Sequence, residues 1–459
     1  MLKNGFYNRF SCKLIMIRIG IPKKIASYSF KCFSFTILLL FFFSSCGEKI
    51  RKGTAKIPEY QKVEGKLSNY NEWLGHLGTH RNGLASGKEI NLDWLESEPQ
   101  LLWKKEIGVG VAGVSGLNEY VYSMGNVKSK DVIYCIDAFT GKIIWQKSYD
   151  CIIDKRMFEG GPPTTPLIDK KNKNLYTLSH QGELRCLSLK SGLLQWKVSY
   201  TNSPLGGRRP DYGYASSPII YDDMLIISPG GKESSIAALN LDDGSVLWSC
   251  GNSKVGYSSP VIFTLNESDC IAQLNASDLS VFNLGTNNLL SKTSWETKYR
   301  INAAAPIYFN GHILITSGYG KGAGLFKVHE EKLELIYESK QLVCQFQSPI
   351  MKNGFIYAVT GDNDRKASLV CMNPINGKIM WNEPLSGNRG NVIAIDDSLI
   401  VLTERGEVIA CSATPKSYNE TGRFQAVGGR CWAAPTICGS RLYIRNNSGR
   451  LMCYNLKKN

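Results

Sequence analysis

Short runs in which apolar and polar residues alternate, each bounded by a turn-forming cluster, recur from about residue 100 to the end of the chain. Met224–Ser228 (MLIIS), His312–Thr316 (HILIT), Phe355–Val359 (FIYAV) and Arg441–Arg445 (RLYIR) are examples, and few stretches carry the three-to-four spacing of an amphipathic helix. The pattern predicts an all-β protein made of many short antiparallel strands.

The strands belong to a repeat. Aligned eleven-residue windows read CIDAFTGKIIW (135–145), CLSLKSGLLQW (186–196), ALNLDDGSVLW (238–248) and CMNPINGKIMW (371–381), with VFNLGTNNLLS (281–291) as a degenerate copy. A further window, CSATPKSYNET (411–421), begins like the others and then diverges. Each good copy reads as a strand, a turn ending in Gly, and a second strand ending in Trp. Gly141, Gly192, Gly244 and Gly377 supply the positive φ that costs other residues strain. Asn288 is assigned that position in the degenerate copy.

Between the windows lies a second element: a pair of mostly small residues, Pro, then apolar residues. It occurs at Pro166, Pro218, Pro260, Pro306, Pro349 and Pro435, at spacings of 52, 42, 46, 43 and 86, the last being twice 43. Four strands per period of about 46 residues is the signature of a β-propeller blade. Anchors at Trp103, Trp145, Trp196, Trp248, Ser291, Tyr337, Trp381 and Phe424 count eight blades. The chain ends on three strands (435–455), and the strand around Trp103 stands alone at the front. Closure therefore pairs the N-terminal strand with the last three, which removes both free sheet edges. The tryptophans are expected to pack between blades.

Composition refines this picture. The 459 residues are 43% hydrophobic and 20% charged, enough for a large folded core and too apolar for a disordered chain. Nearly half of the formal charge of +15 sits at the front: residues 1–45 hold seven Lys/Arg and no acid, leaving 47 basic against 39 acidic side chains. A body of that balance without a basic run is not a nucleic-acid binder.

The front of the chain reads as an address. Cys32–Phe43 is a twelve-residue apolar run behind a basic stretch, short for a bilayer span and apt for a signal-peptide core. It leads into Phe43-Ser44-Ser45-Cys46-Gly47, which resembles a bacterial lipoprotein signal with Cys46 as the lipidated first residue of the mature chain; ordinary secretory cleavage nearby is the alternative. The domain division is then 1–45 signal peptide, 46–98 linker and lead-in segment, and 99–459 propeller. Of the remaining cysteines none is adjacent to another or spaced CxxC, and Cys135, Cys186, Cys371, Cys411 and Cys453 share one repeat position. They are expected to be buried core residues, with no disulfide framework and no metal site.

The windows resemble the pyrroloquinoline-quinone (PQQ) repeat of the quinoprotein alcohol dehydrogenase-like propellers, over residues from about 70 to 457. Trp73…Gly78…Arg81-Asn82-Gly83, Ser317-Gly318-Tyr319-Gly320-Lys321-Gly322 and Arg430-Cys431-Trp432-Ala433-Ala434-Pro435 resemble the PQQ-binding-like lipoproteins of bacterial envelopes, a group related to the BamB-type barrel-assembly lipoproteins of the outer membrane. The resemblance implies an eight-bladed ring that is periplasmic, anchored through Cys46 to the membrane, by family analogy the outer one, and docked to envelope or outer-membrane proteins. It equally implies a second function, PQQ-dependent oxidation of alcohols or sugars with a bound Ca²⁺.

Propellers host both scaffolds and enzymes, so the channel mouth decides. Innermost strands line the funnel, which directs attention to residues before each repeated Pro: Arg208, Arg209, Asp211 and Tyr214; Tyr299, Arg300 and Asn302; Arg430 and Trp432. They would form a basic, aromatic mouth suited to an anionic ligand, or simply line a solvated channel. Against the enzyme stand the missing adjacent Cys-Cys, the missing CxxCH, the compact blades and the lack of a DxDxDG loop. His76 and His80 have i,i+4 spacing, but Gly75, Gly78 and Gly83 argue against a helix there. A non-catalytic binding or assembly scaffold is the reading favoured by the sequence.

Overall fold

Eight antiparallel sheets, each built on four strands, follow one another along the chain. The computed structural model describes residues 51–52, 66, 68–87, 89–154, 156 and 158–458; the leader 1–45 and Cys46 lie outside the described residues. The strands of blades 1 to 7 fall within 115–150, 167–199, 219–250, 261–294, 307–339, 350–384 and 390–425. Blade 8 combines Thr436–Cys438, Arg441–Arg445 and Arg450–Asn455 with Leu101–Glu106 from the front of the chain. Cys453 pairs with Trp103 and Arg450 with Glu106 across this closing seam. The eight-bladed ring and its N-to-C closure are those read from the repeat.

The apolar core lies between blades. Tyr176 and Leu184 of blade 2 share one buried cluster with Leu225 and Ala237 of blade 3, and similar clusters join the other neighbours. Arg445 of blade 8 bolts the last interface: Nη1 donates to the carbonyls of Ala112 (2.8 Å) and Met124 (2.7 Å), and Nη2 to Gly108 (3.1 Å), all on the blade 1 side.

The repeat window has a physical rationale in each blade. Cys135, Cys186, Cys371 and Cys453 stand opposite Trp145, Trp196, Trp381 and Trp103 on the neighbouring strand, and a register shift follows the cysteine each time. Each Trp then reaches the turn of the next blade: Trp103 Nε1 donates to Ala138 O (3.0 Å), Trp145 to Leu189 O (3.2 Å), Trp196 to Leu241 O (2.9 Å) and Trp381 to Thr414 O (2.8 Å). The glycine of that turn is doubly required. Gly244 has φ +74°, and a Cβ there would come 2.6 Å from Trp196. In the degenerate window Asn287, with φ +56°, holds this position; Asn288 already begins the next strand, which corrects the one-residue offset in the sequence alignment. The eleven described cysteines are all unpaired, and burial pushes the thiols of the repeat position up to about 12.

The lead-in residues pack on the ring. Glu72–Trp73 pairs antiparallel with the first strand of blade 1, and Leu84–Ala85 lies parallel to the first strand of blade 7. Between them the Arg81 guanidinium donates to Pro218 O (2.8 Å) and Ser217 O (3.1 Å) of blade 3. The segment therefore bridges blades 1, 3 and 7. Trp94 continues the attachment, edge-on to Phe424 at 5.3 Å.

A candidate binding cup on the ring axis

The first strand is three residues long in six of the eight blades, and the residues leading into it alternate between the axis and the blade interior, as the two-residue strand period requires. At the place three residues before the repeated Pro stand Pro163, Ala215, Tyr257, Ala303, Phe346 and Trp432. Blades 1 and 7 lack that Pro, and the same register, counted back from the turn after the first strand, places Val111 and Arg389 there. All eight line one cavity of about 530 Å³. Trp73, His76 and Leu77 of the lead-in segment close its floor, turning the channel into a cup of small-molecule size.

The wall has two aromatic banks. Trp432 lies edge-on to both Phe158 and Phe346 at 5.0 Å. Tyr299 meets Tyr319 at 5.1 Å, and Tyr212 meets Tyr257 at 6.2 Å. Phe158, Tyr212 and Tyr299 are exposed at the rim, whereas Trp73 is fully buried.

Arg389 carries the formal charge of the wall. Nε donates to Gln345 Oε1 (2.9 Å), Nη1 to Glu404 Oε1 (3.0 Å) and Nη2 to Asn363 Oδ1. The guanidinium also lies over Phe346 (5.1 Å) and Trp432 (5.5 Å). Glu404 is set behind these residues: it accepts from Trp432 Nε1 (2.9 Å) and from the Asn388 N–H (2.9 Å). Burial pushes its carboxyl up, but those hydrogen bonds and the Arg389 charge outweigh it and hold the acid below its ordinary value. Burial, with the charge of Arg81, drives His76 down to about 3, although the residue lines the cavity. It is a neutral imidazole at ordinary pH. A base that weak is far from the range near 7 where proton transfer is efficient.

The sequence candidates divide by position. Trp432 lines the cup, and so does Tyr299. Arg430 sits beside it, paired with Glu159 at 2.8 Å and stacked over Phe158 (4.9 Å) and Trp432 (5.1 Å). Tyr214 and Asn302, four residues before the Pro, point by parity into the wall. Tyr214 packs on Tyr200 and donates to Pro229 O, and Asn302 Nδ2 donates to Asn275 O (2.8 Å). Arg209 pairs with Asp154 at 2.9 Å. Arg208, Asp211 and Arg300 are exposed and outside the lining. Arg389 was not marked in the sequence, because blade 7 carries Val392 where six other blades have Pro. The Asp396-Asp397 turn, equivalent to Asp222-Asp223 in blade 3, is the signal that would have found it.

No lining residue is an Asp or a Glu. A quinone–calcium centre needs carboxylate or amide oxygens for the cation and an acid to take the substrate proton. The lining amides are present, the carboxylates are not, and Arg389 is already committed at all three nitrogens. These residues do not fit that cofactor.

Fold and site together define an eight-bladed propeller with a floored, aromatic axial cup. The chain belongs to the PQQ-repeat family described as outer membrane protein assembly factor BamB, whose sequence model matches residues 97–249, 129–381 and 334–421. No curated protein matches the sequence. Among solved structures, BamB from Moraxella catarrhalis is similar with a TM-score of 0.55 and 13% identity, over 78% of this chain and 100% of that one. Quinohemoprotein alcohol dehydrogenase from Comamonas testosteroni is similar with a TM-score of 0.64 and 12% identity, over 85% and 81%. A europium-containing methanol dehydrogenase gives 0.62 and 10%, over 82% and 89%. At these identities the likenesses show a shared fold.

Proposed function

We infer that the protein is an exported, lipid-anchored, non-catalytic scaffold of the bacterial cell envelope that binds or assembles outer-membrane proteins. The observation that carries this reading is the lining of the cup, which offers aromatic faces, hydroxyls and amides but no carboxylate. Such a surface holds a ligand or a peptide side chain and lacks the groups to oxidise one. Membership of a family described as an outer membrane protein assembly factor supports the same reading, and the Ser44-Ser45-Cys46-Gly47 signal supports the anchor. PQQ-dependent oxidation, the other function of the fold, is disfavoured by the missing acid.

The test is made on the full chain in a bacterial host. Fatty-acid labelling and membrane fractionation of wild type and Cys46→Ser are followed by co-purification with the outer-membrane barrel-assembly machinery. The reading expects label and outer-membrane location that depend on Cys46, and barrel-assembly components retained by wild type. A soluble, unlabelled protein that retains none of them contradicts it.

A further inference from the structure

A cluster outside the lining of the cup joins blades 1 and 2. Asp131 lies in the strand Lys130–Asp137, Cys151 follows the strand Ile143–Asp150, and His180 follows the strand Asn174–Leu178. All three are buried, at 0%, 2% and 1% exposure. One ligand atom of each lies within 4.8 Å of the other two, and no other His/Cys/Asp/Glu trio among the described residues does this. Cys151 Sγ stands 3.5 Å from His180 Nδ1. Zinc–sulfur and zinc–nitrogen bonds of about 2.3 and 2.05 Å at a tetrahedral angle give a sulfur–nitrogen edge of about 3.5 Å.

We propose that Asp131, Cys151 and His180 form a buried site for a zinc-class divalent cation that pins blade 1 to blade 2. Each residue supplies the donor such an ion takes: a carboxylate oxygen, a thiolate and a neutral imidazole nitrogen. On binding, the thiol proton leaves to solvent, His180 contributes its lone pair, and carboxylate plus thiolate balance the two positive charges of the ion. Among the described residues no basic side chain forms an ion pair with the Asp131 carboxylate.

The surroundings act as an outer shell. Asn126 Nδ2 donates to Asp131 Oδ1 and to Cys151 O, both at 2.8 Å, and Tyr149 OH lies 3.4 Å from Asp131 Oδ2. Arg209 Nε donates to His180 O (3.3 Å) while pairing with Asp154, and Arg185 pairs with Glu183 over the Tyr149 ring. The neighbouring charges are thus matched among themselves. The ligands are spaced 20 and 29 residues apart, and the third comes from a different blade, so no sequence motif marks the site.

The test uses the protein from Gly47 onward, without leader and anchor residue, loaded with Zn²⁺ alone or Co²⁺ alone and dialysed. Bound zinc is measured by mass spectrometry and cobalt by absorption, for wild type, Cys151→Ser and Asn126→Ala. Roughly one equivalent of zinc should remain on wild type, with a near-ultraviolet thiolate–cobalt band and tetrahedral visible bands that Cys151→Ser loses. Asn126→Ala keeps the ligands and should bind about 10–100-fold more weakly. Circular dichroism confirms that each variant is folded; should Cys151→Ser not fold, the wild-type cobalt spectrum and the Asn126→Ala affinity decide. Zinc retention no greater than in Cys151→Ser, or wild type without a thiolate–cobalt band, overturns the site and leaves the 3.5 Å contact as a thiol–imidazole hydrogen bond.

Discussion

Arg389 Nη1 donates to Glu404 Oε1 at 3.0 Å, and the same oxygen accepts the indole N–H of Trp432 at 2.9 Å. One carboxylate thus fixes both the cation and the largest aromatic surface of the cup wall, and it does so from behind. Replacing Glu404 by Gln leaves Arg389 buried without its counter-charge, which costs about 3 kcal/mol at pH 7 by the usual price of breaking a buried pair.

The same pair sets a pH dependence. The folded-state pKa of Glu404 is depressed, so its contribution is complete above the ordinary glutamate range and is lost as pH falls through the folded value. Thermal melts of wild type and Glu404→Gln between pH 7 and 3 should converge toward the acid end. A gap that stays constant contradicts the assignment.

His76 behaves as a base held neutral. Its folded pKa of about 3 lies below the unfolded value, so its contribution to stability is full above the unfolded pKa of about 6.5 and declines as pH falls toward 3. NMR of the imidazole should show no titration between pH 8 and 5. A midpoint near 6.5 would place His76 in solvent and leave the cup without its floor.

The blade-to-blade contact of tryptophan and glycine can be isolated by comparing two alanine substitutions. Gly244 and Gly311 both have positive φ, +74° and +72°, but a Cβ at Gly244 meets Trp196 at 2.6 Å and one at Gly311 meets nothing within 4 Å. Gly311→Ala should cost only the backbone term, about 1 kcal/mol, and Gly244→Ala a further 1–3 kcal/mol from the clash. Urea unfolding reads the difference; equal costs would mean that Trp196 yields freely.

Arg445 fastens the closing interface through three carbonyls of the blade 1 side. Burial lowers its pKa to about 10, which leaves it charged at pH 7. Arg445→Met strands those acceptors at about 1–3 kcal/mol each, less what water recovers. Limited proteolysis should show new cleavage in 106–115. An unchanged digestion pattern contradicts the bolt.

The ring was legible in the sequence because five blades repeat a small residue opposite a Trp with a bulge beside it, and three of them set a glycine beneath the preceding Trp. The cup was legible only in part. Trp432 precedes a recognisable Pro, whereas Arg389 stands in a blade whose Val392 hides the register. Tyr214 and Asn302 were drawn in by proximity to Pro, although their even offset turns them into the wall. The floor was illegible, because the path of Trp73 to Ala85 across blades 1, 3 and 7 follows from long-range pairing and from Arg81 reaching backbone carbonyls.

Titration of the protein with PQQ and Ca²⁺ separates a cup that binds without catalysing from a cofactor site. Tryptophan fluorescence reports the cup, since Trp73 and Trp432 line it. No saturable quenching is expected up to concentrations on the order of tens of micromolar, a range in which a dedicated cofactor site would fill. Saturable binding of one equivalent, with dye-linked oxidation of an alcohol or sugar, would contradict it.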